Sequence, residues 1–343
     1  MDKITLKTIP VSEAVGTVLF HDITRIEPGV CKGPAFRKGH IIREEDIPVL
    51  LEIGKENLYV GEILPGLLHE NEAALRISQA IAGGNLEQSE VKEGRINFRA
   101  SCRGLLRVDV PALTRINSLG DISLATLHTM QEVHKGQDVA GTRIIPLMID
   151  EKKIASLESM LNGPVLEVLP FSRLRVGMVT TGSEVYYGRI KDSFGPVIRS
   201  KFEELGCEVI GQAFSDDSMT MTRQAILDHV AAGAEMVVCT GGMSVDPDDR
   251  TPAAIRSTGA EVVTYGAPAF PGAMFLLAYL DGIPVLGLPG CVMFSKTTIF
   301  DLIVPRILAG IRVSPEDIAA LGHGGFCSGC PECRYPVCPF GKY

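Results

Sequence analysis

No run of apolar residues in this chain reaches the roughly eighteen or more that a membrane-crossing helix needs. The opening Met1-Asp2-Lys3-Ile4-Thr5-Leu6 is not followed by an apolar stretch with a small-residue cleavage site, so no secretory leader is expected. Basic clusters are missing as well. The net charge is −8, from 33 Lys and Arg against 41 Asp and Glu, and nothing resembles a basic tail. Such a chain has no general attraction to phosphate backbones, which disfavours nucleic acid as a partner. Internal repeats and low-complexity segments are also lacking. These absences lead to the expectation of a cytoplasmic protein with neither membrane nor nucleic-acid partners. In that compartment Cys31, Cys102, Cys207, Cys239 and Cys291 are expected to be reduced and mostly core-filling.

What is present is globular composition, 45% apolar and 22% charged, over 343 residues, enough for two or three domains. From Leu174 onward, short β-rich runs alternate with helical patterns, the signature of an α/β domain with a mostly parallel sheet. Strands are expected at Arg175 to Thr180, Glu208 to Ala213, Met236 to Thr240, Glu261 to Thr264 and Pro284 to Gly287. Helices are expected near Pro196 to Leu205, Ser218 to Ala232, Pro252 to Ser257 and Phe294 to Ala309. In the second of these, Met221, Ala225, Ile226, Val230 and Ala231 are spaced as one buried stripe.

The earlier region reads as a smaller, mixed, β-containing one. A turn at Phe36 to His40 precedes a short helix from Glu44 to Leu51, a stop at Gly54 and a strand at Leu58 to Val60. A helix from about Asn71 to Ala82 ends at Gly83-Gly84. Arg95 to Ala100 alternates polar with apolar, as a half-buried strand does. Asn162-Gly163-Pro164 is the expected linker, because Gly-Pro breaks both periodicities. The expected division is 1–165, 166–312 and a Cys-rich tail at 313–343.

Thr240-Gly241-Gly242 ends a buried-strand run, which puts two glycines at the carboxyl end of a central strand, where open α/β sheets bind ligands. Glycines let backbone N–H groups approach an anion, and Ser244 adds a hydroxyl. Asp246, Asp248 and Asp249 follow, carboxylates suited to holding Mg²⁺ against a phosphate or oxyanion. Thr251-Pro252 reads as an N-cap followed by Pro at the first helical position. A tight turn with solvated acids would account for the same residues. Three more loops argue for a site: Thr181-Gly182-Ser183-Glu184, Pro268 to Gly272, and Gly287-Leu288-Pro289-Gly290. All four are expected to meet at one sheet edge.

On these motifs, the stretch from about Leu174 to Gly310 resembles the molybdopterin-binding domain of molybdenum cofactor biosynthesis proteins. It most resembles the molybdenum insertases, or molybdopterin molybdenumtransferases, which include the E domain of gephyrin. Thr181-Gly182-Ser183-Glu184 matches that family's Thr-Gly-Asp-Glu with Ser183 in place of Asp. Thr240 to Asp249 matches Thr-Gly-Gly-x-Ser-x-Gly-x-x-Asp with Asp246 in place of Gly. Pro271-Gly272 matches a third turn, with Ala273 where Lys is usual, and Gly287 to Gly290 matches a fourth, with Cys291-Val292 for Asn-Pro. Residues 1–60 also resemble the insertase opening, through Val11 to Gly16, Asp22 and Arg37 to His40.

The resemblance implies a three-layer, mostly parallel sheet that binds molybdopterin or its adenylate, with the phosphate near Gly241, Gly242 and Ser244. Asp249 and Asp248 would bind Mg²⁺ or position molybdate, and Thr181 to Glu184, Thr240, Asp246, Thr251, Pro271, Gly272, Pro289 and Gly290 would line the cleft. It implies a homodimer and insertion of molybdenum. Two alternatives are a non-catalytic carrier or sensor serving a molybdoenzyme client and, from Asp249-Arg250-Thr251-Pro252, a molybdopterin adenylyltransferase.

Cys327, Cys330, Cys333 and Cys338 lie within the last seventeen residues, spaced C-x2-C-x2-C-x4-C. Thiols so placed in a cytosolic chain point to an iron–sulfur cluster or Zn²⁺, the first gaps being those of bacterial ferredoxins. His323 is a possible substitute ligand. Arg95, Arg99, Arg103 and Arg107 are candidates for lending positive charge to the cleft, although such arginines more often solvate a sheet face.

Overall fold

The structure, a computed structural model, describes residues 7–27, 31–60 and 65–342. The expectations for the first six residues and for the Cys31 side chain lie outside the described residues. The chain forms two units, one from residues 1–99, 108–127 and 137–167, the other from 100–107, 128–136 and 168–343.

In the first unit, Lys7–Pro10 pairs antiparallel with Asn57–Val60, and Ile9 and Leu58 join Val11, Leu19, Ile42 and Leu50 in a small core. Helix Asp46–Glu52 ends before Gly54, whose φ of +76° is the left-handed turn a glycine makes cheaply. Helix Glu70–Ile81 turns Ala73, Ala74, Ile77 and Ile81 inward. The expected alternation at 95–100 places Ile96 and Phe98 in the interior. Arg95 donates to Asn97 at 2.9 Å and Arg99 pairs with Asp138 at 3.0 Å. In the second unit Arg103 pairs with Glu132 at 2.7 Å. Each of these three arginines thus has a partner within its own unit.

The second unit is built on a six-stranded sheet. Its strands are β1 (Arg175–Thr181), β2 (Glu208–Ser215), β3 (Met236–Thr240), β4 (Glu261–Tyr265), β5 (Leu276–Leu280) and β6 (Ile283–Leu288), in the order β2-β1-β3-β6-β5-β4. β1 pairs parallel with β2 and β3, and β3 with β6, whereas β5 runs antiparallel to both β6 and β4. The sheet is therefore mixed, with β5 alone reversed. The sequence shows only an apolar segment there because all five β5 residues are buried, which erases the alternation that marks a half-exposed strand.

Helices α1 (Ser183–Tyr186), α2 (Phe194–Glu204), α3 (Met219–Ala231), α4 (Thr251–Ser257), α5 (Ile299–Leu308) and α6 (Pro315–Ala320) complete this unit. Met236 and Val238 pack in one core with Ile198 and Phe202 of α2 and Phe300 and Ile303 of α5. Val237 and Cys239 pack in another with Ile226 of α3 and Ile255 of α4. Period-two alternation along β3 thus feeds two cores, and each large apolar side chain buried contributes about 1.5–3 kcal/mol. Burial pushes the Cys239 thiol up to about 12, so it is inert filling. Cys207 is also buried, and Cys102 and Cys291 are half-buried; all are free thiols.

Two helix expectations shift. Ala231 of α3 is exposed, while Thr222 is buried and meets Ser215 at 2.9 Å. α5 starts at Ile299, not near Phe294, because Gly290–Met293 forms a separate 3₁₀ turn and Thr298 with Asp301 makes a capping box. Among the described residues no helix is long and apolar enough to cross a membrane.

His69 generates a pH prediction for the first unit. Its Nδ1 accepts the Asn71 N–H at 3.1 Å and so caps helix Glu70–Ile81, a task only the unprotonated nitrogen can do. Burial, reinforced by the charge of Lys38, lowers its pKa from 6.5 to about 4. The unfolded chain binds a proton below about pH 6.5 that the folded chain refuses, so stability is full above that pH and falls as pH drops toward 4. Urea unfolding of His69→Asn, which keeps a capping acceptor, should lose less stability between pH 7 and pH 4.5 than the parent, by on the order of 2 kcal/mol. An equal loss in both proteins would show that His69 is not the acid-sensitive group.

Candidate functional site

The chain winds from β1 outward to β2 on one side and then to β3 on the other, so the winding reverses between β1 and β3. Outside the carboxyl ends of strands at such a point lies the natural crevice of an open α/β sheet. Thr181-Gly182 and Thr240-Gly241-Gly242 leave the sheet there. Gly241, at φ +84°, passes so close to β1 that a Cβ on it would stand 2.2 Å from the Thr181 carbonyl oxygen. Thr251 Oγ1 donates to the Gly241 carbonyl at 2.8 Å, Thr181 Oγ1 donates to the Thr240 carbonyl at 3.2 Å, and the two hydroxyl oxygens lie 3.0 Å apart. Thr251 is thus the first residue of α4 rather than its N-cap. Arg250 holds the cap position without a side-chain bond, because the threonine hydroxyl is committed to the glycine turn.

The acidic stretch closes on itself. Asp249 accepts the Asp246 N–H on Oδ2 at 3.1 Å while its own N–H bonds the Asp246 carbonyl at 2.9 Å. Ser244, Asp246 and Asp248 are exposed and Asp249 is half-buried. Tyr265 Oη lies 3.1 Å from the carbonyls of both Met243 and Ser244, which fixes the turn above β3. Among the described residues no group of three or more His, Cys, Asp or Glu side chains could hold a metal ion. The aspartates alone are therefore no metal cage. A Mg²⁺ ion commonly takes only one or two carboxylates and completes its shell with water and substrate phosphate, which this loop can supply.

The other loops arrive at the same edge. Ser183 donates its hydroxyl to Asp217 Oδ2 at 2.6 Å, and its N–H reaches the same oxygen at 3.1 Å. Asp217 is a carboxylate that the sequence reading overlooked; its signal is Asp216-Asp217 directly after β2. Glu184 is exposed beside it. Leu276, the first residue of β5, pairs with Gly287 near the end of β6, so the Pro271-Gly272 turn leading into β5 lies by the carboxyl ends of the other strands. The Pro271 carbonyl accepts the Ile299 N–H at 3.1 Å, and a Cβ on Gly272, at φ +135°, would stand 2.5 Å from Ile299. Pro289 and Gly290 open the 3₁₀ turn beyond β6, with Cys291 half-buried inside it. Gly287 allows Met243 to pack across β6, since a Cβ there would stand 2.5 Å from the methionine sulfur.

Cys327, Cys330, Cys333 and Cys338 line one cavity of about 360 Å³ together with Pro271 and Thr297. They do not converge as a single-ion site. His323 is exposed and is not among the residues lining that cavity.

A pair of glycine substitutions separates close approach from incidental glycine. Gly241→Ala should cost at least about 2 kcal/mol in urea unfolding, because neither the φ nor the Thr181 carbonyl allows the methyl. Gly290→Ala, whose nearest neighbour would be Phe194 at 4.0 Å, should stay within about 0.5 kcal/mol of the parent. Equal losses would mean that the Gly241 approach carries no special constraint.

Residues 177–309 match a family model described as "Probable molybdopterin binding domain", and residues 8–62 match a "Domain of unknown function (DUF8806)". The molybdopterin molybdenumtransferase of Staphylococcus aureus strain COL is 29% identical over 183 residues, which covers 49% of this chain and 42% of that protein. The Haemophilus influenzae molybdopterin molybdenumtransferase is 27% identical over 186 residues, covering 52% of this chain and 44% of that protein. The match therefore spans less than half the length of these relatives. Among solved structures, a molybdopterin biosynthesis MoeA protein from Pyrococcus horikosii is 16% identical with a TM-score of 0.35, covering 89% of this chain and 75% of its own. The segment from Gly177 to Ala309 is thus similar to molybdopterin-binding domains, and about half of the chain is similar to part of the molybdopterin molybdenumtransferases.

Proposed function

We propose that the chain acts in molybdenum cofactor biosynthesis as a cytoplasmic molybdopterin molybdenumtransferase, taking molybdopterin or its adenylate and molybdate as substrates. The observation that carries this reading is the Gly241-Gly242 turn at the β1–β3 switch point, where an α/β sheet has its crevice, within the residues that the family model matches. Helices on both faces of the mixed sheet support the three-layer architecture expected of such a domain.

In this reading the pterin phosphate is received by backbone N–H groups of Gly241 and Gly242 and by the Ser244 hydroxyl, with Thr181, Thr240 and Thr251 holding the turn in shape. Thr181 to Glu184, Asp246, Pro271, Gly272, Pro289 and Gly290 form the surrounding rim. Molybdate and the pterin phosphate are both anionic, so bringing them together needs a cation. Asp249, with Asp248, would hold Mg²⁺ there, and the ion would supply charge neutralisation. A second copy of the chain completes the cleft, a molybdoenzyme is the downstream client, and residues 313–343 form a thiolate-held metal site, iron–sulfur or Zn²⁺.

A non-catalytic carrier or sensor is the second reading, and one arrangement favours it. Ser183 stands where the family pattern has Asp, and both its hydroxyl and its N–H are committed to Asp217. Adenylyl transfer is the third, resting on Asp249-Arg250-Thr251-Pro252 alone; ATP-dependent formation of adenylated molybdopterin would identify it.

The test supplies oxygen-free protein with adenylated molybdopterin, molybdate and Mg²⁺ and measures reconstitution of a cofactor-free molybdoenzyme. Transferase action predicts reconstitution that falls by at least about a hundredfold in Asp249→Ala, with pterin binding retained. Tight pterin binding without reconstitution in the parent protein would replace the transferase by the carrier.

A further inference from the structure

We infer that the C-terminal cavity seats a cubane iron–sulfur cluster, one iron per cysteine, and that the seated cluster clamps the Phe270–Gly272 turn at the edge of the ligand crevice. This deepens the thiolate-metal reading of the tail by choosing the metal and giving it a task. The choice follows from size and spacing. A single tetrahedral Zn²⁺ draws four sulfurs to about 2.3 Å from one point, leaving no space between them. Here the four cysteines are among the residues lining a cavity of about 360 Å³, and among the described residues they form no group that could share one ion. That volume falls within the roughly 300–1,000 Å³ typical of sites for small molecules. A cubane fits such a space because each thiolate binds a different corner of a body with its own bulk.

The surroundings suit the same occupant. A cluster held by four thiolates is an anion, and Lys296 and Arg334 both line the cavity. Thr297 Oγ1 lies 3.1 Å from Cys333 Sγ, in position to donate a hydrogen bond to a ligating sulfur, one of the contacts by which proteins tune such clusters. Tyr335 and Phe340 supply apolar walls.

The clamp is visible in the backbone. Phe270 donates its N–H to the Gly325 carbonyl at 2.7 Å, and Cys327 returns its N–H to the Phe270 carbonyl at 2.8 Å. Cys327, a cluster ligand, is thereby bonded directly to the turn that precedes β5, and Pro271 lines the cavity itself. At the other end, Tyr335 Oη donates to the Asp301 carbonyl at 2.7 Å and Phe340 is buried in the main core. Cys330 and Cys333 are exposed, so the segment between these two anchors has little packing of its own to hold it. An occupant bonded to all four thiols supplies the missing restraint.

The experiment reconstitutes the full chain without oxygen using ferrous iron and sulfide, with zinc alone in a parallel sample, and follows amide hydrogen exchange at Phe270 and Cys327. About four irons and four sulfides per chain are expected, with a visible cluster absorption band. Exchange at the two amides should slow by about tenfold relative to the metal-free chain. Cys330→Ser/Cys333→Ser, altered only at exposed positions, should fold normally, lose the band and leave exchange fast. Stoichiometric zinc with no retained iron, or iron retained equally by the double variant, would overturn the cluster. A full cluster with unchanged exchange would overturn the clamp. None of these readouts involves molybdopterin, so failure here and failure of the transferase reading are distinguishable.

Discussion

Gly241 turns left-handed directly over the carbonyl of Thr181, at a distance that admits no side chain, and this close approach sits at the β1–β3 switch point. The same contact explains why hydroxyls collect beneath it. Where parallel strands end, their ladder bonds run out and buried carbonyls need new donors. Thr181 and Thr251 provide them for the glycine turn, and Thr240 Oγ1 donates to Thr180 Oγ1 at 3.3 Å, which in turn accepts from Gln212 at 2.9 Å. A layer of hydroxyls and amides thus separates the apolar cores from the loops. Leaving a buried carbonyl unpaired costs about 1–3 kcal/mol, so this layer fixes loop geometry as well as satisfying it.

Above that layer the groups that can do chemistry are sparse and mostly exposed. Ser244, Asp248 and Glu184 stand in solvent, and the Asp249 carboxylate is tied to its own turn by one oxygen. Under the proposed function, such an arrangement would receive an anionic ligand that brings part of the site with it. The Ser183–Asp217 pair fits the same pattern: a carboxylate from the β2 loop reaches the β1 loop and is held there by two hydrogen bonds to one oxygen. The tail works differently. Its cysteines lie between two anchors, Cys327 against the Phe270 turn and Phe340 in the core.

Much of this was legible in the sequence wherever local pattern and tertiary demand agree. β3 runs from Met236 to Thr240 as read, because a short buried strand stopped by two glycines has little other way to fold. The strand at Arg95–Ala100 was equally plain, since one face is core and the other is not. β5 was hidden because Leu276–Leu280 is buried on both faces, and with it went the one reversed strand of the sheet. The start of α5 was recoverable from Thr298-Ile299-Phe300-Asp301, a capping-box spacing overlooked beside the more conspicuous Gly-Leu-Pro-Gly. Thr251 was read as a cap from its neighbour Pro252. Its partner is the Gly241 carbonyl, ten residues earlier, and no local pattern announces that. Asp217 was missed for the same reason: its partner lies on another loop.

The central claim is that the crevice beyond β1 and β3 receives molybdopterin. It is tested most directly by a crystal structure of the chain grown without oxygen in the presence of molybdopterin. The account predicts the pterin across the ends of β1 and β3, with its phosphate against the Gly241-Gly242 backbone and Asp249 facing the dithiolene side. A pterin bound elsewhere on the chain, or a crevice still empty at saturating ligand, would contradict it.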